Sequence, residues 1–427
     1  MIKQTTLHIK NIRIIDPYTD RDTTGEIKVE DGVFVEEFTQ DIERTIDGRG
    51  LIAFPGLIDA HAHLREPGEE YKEDIISGTR SAAKGGITKI CTMPNTKPVC
   101  DDPTLIRYQI DQAENHGFAS VLPLGALTKG QKGLELAEIG LMAEAGAVGF
   151  SDDGQPVATA DMMQKGMRYA AMFDRVVASH CEDPSLAKGG VMNEGYVSTE
   201  LGLRGIPSTA EDIMVAREIA LAEYHDLPVH ICHVSTARAV SMIRQAKREG
   251  IKVSAETCPQ YFSLTEEAVY GYNTHAKCNP PLRTEADRQA IIAGLKDDTI
   301  DIIASDHAPH HEDEKDLEFS LANNGMIGFE TLWPLSFTEL VQPGHLSLMA
   351  ALKKLTLEPA KCYHQATAGI QPGQPADLVI FDPEAETIYR VKESLSKSRN
   401  SPFDGQALSG EILMTLWKGR ISYDKLR

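Results

Sequence analysis

His61 and His63 stand one residue apart in DAHAHLREPG, and Arg65 follows two residues later. In an extended strand, residues i and i+2 share a face, so the two imidazoles project together, as two ligands of one metal ion must. The arginine adds a guanidinium able to hold a carboxylate through two parallel hydrogen bonds. Further along, Asp152 and Asp153 fall in GFSDDG, His180 in SHCED, His233 in HICHVS, and Asp306 with His307 in SDHAPH. Each of these follows a short apolar run. Four histidines with two or more carboxylates supply enough nitrogen and oxygen donors for one ion or, more fully, two, and zinc suits that donor mixture.

Such residues act together only if the fold brings the ends of the runs to one place. From about residue 50 the chain alternates apolar, β-branched runs with longer helix-like stretches. The runs are LIAFPGLIDAHAHL, ITKICTMPN, ASVLPLGALT, GAVGFSDDG, RVVASHCED, PVHICHVS, IKVSAETCPQYF and DIIASDHAPH. This is the pattern of an α/β protein built as a (β/α)8 TIM-type barrel, in which the carboxyl ends of all the strands meet at one mouth. In the connection STAEDIMVAREIALAEY, Ser208 and Glu211 read as a capping box, with Ile213, Ala216, Ile219 and Ala220 as a core stripe. Residues 310–327 are rich in charge and lack periodicity, which reads as a long loop after the last strand, expected to close over a bound ligand.

The two ends differ from the middle. Residues 1–54 and 366–427 carry short alternating runs and turn signals such as Asp31-Gly32 and Asp47-Gly48. Neither set of strands is sufficient alone, so the two ends are expected to pair as a small β-sandwich subdomain beside a barrel spanning residues 55–365.

Composition narrows the function. A formal charge of −20 on 427 residues opposes binding to a polyanion, so nucleic acid is not an expected partner. A small anionic substrate remains compatible, provided that local cations such as Arg65 hold it. No stretch approaches the roughly 18 apolar residues of a membrane span, and the alternating start MIKQTTLHIKNIRIID lacks a secretory layout, so the expected location is cytoplasmic. Seven cysteines without a C-x-x-C spacing read as buried thiols.

GLIDAHAHLREPG, CTMPNT, GFSDDG, SHCED, HICHVST, CNPPLR, SDHAPH and GQPADLVIFD together resemble the cyclic amidohydrolases, most closely the bacterial dihydroorotases with a bridging aspartate. The resemblance runs nearly end to end. It implies that His61, His63 and Asp306 hold one zinc ion, that His180 and His233 hold a second, and that Asp153 lies between them. Two ions so placed lower the pKa of a shared water enough to give a nucleophile near neutral pH. Many relatives bridge with a carbamylated lysine, whereas GFSDDG offers only aspartates; a strand register shifted by one would exchange Asp153 with Asp152. Asp306 is implied as the proton carrier. His63, Arg65, Asn95, Asn279, His310 and the backbone near Asn324 and Gly325 are implied as substrate contacts, although the family often has an aromatic where this chain has Asn324.

The activity implied is the reversible cyclisation of N-carbamoyl-L-aspartate to L-dihydroorotate, a step of pyrimidine biosynthesis. A hydantoinase or allantoinase would share the barrel and metals but would give Arg65 no anionic partner. A non-catalytic support subunit for aspartate transcarbamoylase would be expected to lack some of the ligands. A homodimer is expected from the frequency of twofold assemblies, and a complex with aspartate transcarbamoylase is compatible.

Overall fold

A computed structural model describes residues 5–366 and 368–426; residues 1–4, 367 and 427, which belong to the expected terminal subdomain, lie outside the described residues. Eight parallel strands form the barrel: β1 (Leu57–Ala62), β2 (Ile87–Thr92), β3 (Ser120–Ala126), β4 (Gly149–Ser151), β5 (Val176–Ser179), β6 (Val229–Ile231), β7 (Val253–Thr257) and β8 (Ile302–Ile303). Each pairs with its sequence neighbour, and a parallel bridge between Ala62 and His307 joins the first strand to the last. The expected α/β barrel is therefore present, with one barrel strand in each of the eight runs.

The first run holds two strands rather than one. Ile52–Pro55 pairs with Arg13 and Ile14 on one side and with Leu378–Phe381 on the other, whereas Leu57 begins the barrel. The chain changes sheets at Gly56, where a Cβ would fall 2.2 Å from Thr88 Oγ1. Only glycine lets the two strands approach so closely at that step. The terminal strands form one eight-stranded set drawn from both ends of the chain. A core of Leu7, Ile9, Val29, Ala53, Leu378, Ile380, Met414 and Leu416 belongs to this sheet. A larger core joins strand residues such as Ile90, Phe150 and Val177 to helix residues such as Ala82, Met163 and Met214.

One helix departs from the expected stripe. Thr209–His225 buries Glu211, Met214, Val215, Glu218 and Ala222, while Ile213 is 52% exposed and Ser208 makes no side-chain cap. The inward turn follows the two glutamates. Glu211 accepts hydrogen bonds from the Ser235 and Thr236 amides, and Glu218 accepts from Ser179 Oγ, so polar bonding at the strand ends outweighs the apolar periodicity. Six of the seven cysteines are buried and none is bridged, in line with their reading as thiols. No helix among the described residues is long and apolar enough to cross a membrane.

Candidate metal centre and active-site cleft

The strand ends converge on Asp153. Its Oδ1 lies 3.5 Å from His61 Nε2 and 3.4 Å from both His180 Nδ1 and His233 Nε2, and its Oδ2 lies 3.5 Å from His63 Nε2. These imidazoles come from the ends of β1, β5 and β6. Asp306, just past β8, places Oδ1 3.3 Å from His63 Nε2 and 3.7 Å from His61 Nε2. All six side chains are buried. Asp152 turns away and accepts hydrogen bonds from the Leu127 and Thr128 amides at 2.8 and 3.0 Å, as well as from the Thr128 hydroxyl. His307 stacks on Phe329 with ring centroids 3.8 Å apart and takes no place among the converging donors.

The backbone is bent to achieve this. Arg65, His233 and Asp306 all have positive φ, at 62°, 36° and 46°, a region that non-glycine residues seldom occupy. Strain of this kind persists where the surroundings impose it, as they do in a functional site.

The donor set suits a divalent metal ion. Donor atoms of His61, His63 and Asp306 lie within 4.8 Å of one another, and so do those of His61, Asp153 and His233. His61 Nε2 is buried without any hydrogen-bond partner. Its other ring nitrogen, Nδ1, lies 2.6 Å from Glu256 Oε1, and His63 Nδ1 lies 2.7 Å from Asn95 Oδ1. In each ring the outer nitrogen faces an acceptor and so carries the proton, which leaves the Nε2 lone pair for an ion. Burial alone would raise the Asp153 carboxyl, but the imidazoles of His61, His180 and His233 overcome this and hold it well below the usual carboxylate range. It is therefore an anion among nitrogens, as a carboxylate metal ligand must be.

A cleft of about 340 Å³ opens beside this cluster, lined by Arg65, Asn95, Asn279, His310, Asn324 and Gly325 among others. Arg65 is buried and donates from Nε to the Pro309 carbonyl at 3.1 Å and from Nη2 to His310 Nε2 at 3.3 Å. No carboxylate reaches ion-pair distance of it among the described residues. A buried guanidinium left without an anion is costly, and the cleft it borders can supply one. Arg65 can only donate, so His310 Nε2 accepts from it and the ring is neutral, with its proton on Nδ1 facing Glu314 Oε2 at 3.2 Å. Burial, with Arg65, Lys72 and Lys315 nearby, pushes its pKa down to about 2. Asn279 Nδ2 lies 3.4 Å from His180 Nε2, and its Oδ1 is buried without a partner.

Some contributors are absent from the sequence reading. Glu256 at the end of β7 is fully buried and touches both His61 and His230, the latter at 3.2 Å. The lone carboxylate in the strand run IKVSAETC was the available signal. Gln155 and Asn323 also line the cleft. In the segment expected to close over a bound ligand, Lys277 and Lys315 donate to backbone carbonyls between Phe319 and Gly325.

Comparison with known proteins agrees with this architecture. Residues 50–239 match the family model described as dihydro-orotase-like. The chain is 52% identical over 417 residues to a dihydroorotase of Acetivibrio thermocellus, covering 97% of this chain and 98% of that protein. It is 51% identical over 416 residues to a dihydroorotase of Endomicrobium trichonymphae, covering 97% and 99% respectively. Among solved structures, the L-hydantoinase (dihydropyrimidinase) from Arthrobacter aurescens superposes with a TM-score of 0.87 at 26% identity, covering 99% of this chain and 96% of that one. A dihydropyrimidinase from Brevibacillus agri shares the fold, with a TM-score of 0.82 at 22% identity over 98% and 95% of the two chains. With about half its residues identical to these dihydroorotases along nearly its full length, the chain belongs to the dihydroorotase family of metal-dependent cyclic amidohydrolases.

Proposed function

We propose that this chain interconverts N-carbamoyl-L-aspartate and L-dihydroorotate through a pair of zinc ions. The observation that carries the reading is the Asp153 carboxylate facing four imidazoles within 3.5 Å, next to a cleft whose buried arginine lacks an anion. His61, His63 and Asp306 would hold one ion, His180 and His233 the other, with Asp153 shared. Ions held there would polarise the ring carbonyl and lower the pKa of the water that attacks it.

The chain's own residues supply the rest. Arg65 grips the ring carboxylate, a group that dihydroorotate carries and that neutral hydantoins lack. Asn95 and Asn279 flank the ring, and His310 keeps the guanidinium aimed. In ring opening, Asp306 takes the proton lost by the attacking water and returns it to the leaving ring nitrogen. In ring closure the ureido nitrogen attacks the side-chain carboxylate and gives its proton to Asp306, which passes it to the carboxylate oxygen whose C–O bond breaks; with one further proton from solvent that oxygen leaves as water. Closure turns a dianion into a monoanion with uptake of one proton, so acid favours the ring. The test is incubation of zinc-loaded chain with N-carbamoyl-L-aspartate at mildly acidic pH. Dihydroorotate should accumulate with wild type and not with Asp306→Ala; no ring closure by wild type would contradict the reading.

A further inference from the structure

Two buried lysines outside the metal cluster spend their donors on a single stretch of backbone. Lys277 Nζ donates to the carbonyls of Phe319 at 2.7 Å, Ser320 at 3.3 Å and Ala322 at 2.6 Å. Lys315 Nζ donates to those of Asn323 at 2.7 Å and Gly325 at 3.1 Å. Both side chains are at most 5% exposed, and every hydrogen bond that either makes goes to this segment. Burying two ammonium groups is costly, and apolar side chains would pack a loop with less penalty. What a buried cation adds is direction, because it dictates which way the carbonyls point.

That direction has a consequence at Asn324. Its amide belongs to the trans peptide whose carbonyl, that of Asn323, points at Lys315. Because the peptide is planar, the Asn324 N–H points the opposite way, away from the ammonium. It donates to no group among the described residues, and Asn323, Asn324 and Gly325 form one wall of the cleft. The next residue is locked as well. Gly325 has φ of +133°, its N–H donates to the Lys277 carbonyl at 2.8 Å, and a Cβ there would sit 2.8 Å from Ala308. Asn400 Nδ2 holds the Gly325 carbonyl from a further side at 3.0 Å.

We propose that Lys315, backed by Lys277, is a positioning residue that turns the Asn324 N–H into the cleft as a hydrogen-bond donor to a carbonyl oxygen of the bound ring. The inference rests on the dihydroorotate reading above. A donor to a ring atom that does not react stabilises substrate and transition state alike, so its loss appears in KM and not in kcat.

Two measurements test it on the zinc-loaded chain. Wild type is first assayed for dihydroorotate opening; failure there overturns the functional reading, and this inference with it. In Lys315→Met, KM for dihydroorotate should rise about tenfold, the equivalent of one lost hydrogen bond, with kcat within about twofold and zinc content unchanged. Lys277→Met should shift KM in the same direction by less. An unchanged KM, or a fall in kcat together with zinc loss, overturns the proposal while leaving the reaction standing. If Lys315→Met does not fold, hydrogen exchange on wild type decides. Saturating dihydroorotate should slow exchange of the Asn324 amide about tenfold, and no slowing overturns the assignment.

Discussion

His61 and Glu256 share a hydrogen bond of 2.6 Å in the barrel interior, where neither side chain is exposed to solvent. Glu256 also lies 3.2 Å from His230, so one carboxylate fixes a metal-facing imidazole on one side and is itself braced on the other. The His61 and His230 imidazoles overcome the burial of Glu256 and hold its carboxyl below the usual range. The Nε2 lone pair of His61 is thereby kept for an ion. Replacing the carboxylate by an amide, Glu256→Gln, keeps the shape but removes the charge. Zinc affinity should fall about 10- to 100-fold, read by competition with a chromophoric chelator. Affinity equal to wild type would remove Glu256 from the support of the centre.

Asp153 should be less replaceable than any single histidine, because it faces all four at once. Asp153→Asn retains one neutral oxygen among these nitrogens. The variant should lose bound zinc, and its turnover of dihydroorotate should fall by on the order of a thousandfold. Metal analysis and steady-state assay on the same sample check both expectations.

Arg65 should govern affinity for the anion and not the assembly of the centre. In Arg65→Met, KM for dihydroorotate should rise roughly 10- to 100-fold, the worth of a charge-assisted hydrogen bond, while zinc content stays at the wild-type level. An unchanged KM would take Arg65 out of the substrate site.

His310 links stability to pH. In the folded chain its pKa is pushed down to about 2, first by burial and then by Arg65, Lys72 and Lys315. Unfolded, it would titrate near 6.5. The unfolded state thus binds the additional proton in this window, and its contribution to stability is full above pH 6.5 and lost as pH falls below that value. Between pH 7 and 5.5 this loss amounts to about 1 kcal/mol. Denaturant titrations at the two pH values should show it in wild type and not in His310→Gln.

How much of this was legible in the sequence follows from what each residue contributes. The eight strands appear as apolar runs because parallel barrel strands are buried on both faces. The donors His61, His63, Asp153, His180, His233 and Asp306 stand out because each interrupts such a run at its end. The change of sheets at Gly56 was hidden, since two consecutive buried strands read as one run until their partners are known. The helix Thr209–His225 misled for the opposite reason. Its inward glutamates, Glu211 and Glu218, bond to groups far away in sequence, which periodicity cannot register. Lys277 and Lys315 were illegible in the same way: a lysine in a loop looks solvated until the carbonyls around it are seen.

The most direct test of the account sets three rings side by side. Zinc-loaded chain is assayed for opening of dihydroorotate, hydantoin and allantoin under identical conditions. The unpaired guanidinium of Arg65 predicts that dihydroorotate is opened with kcat/KM at least about a hundredfold above either neutral ring, the value of one charge-assisted contact realised only by an anion. Equal or faster opening of a neutral ring would leave the barrel and its donors standing but contradict the assigned substrate, and no opening of any ring would contradict the assignment of an active centre to Asp153 and its four histidines.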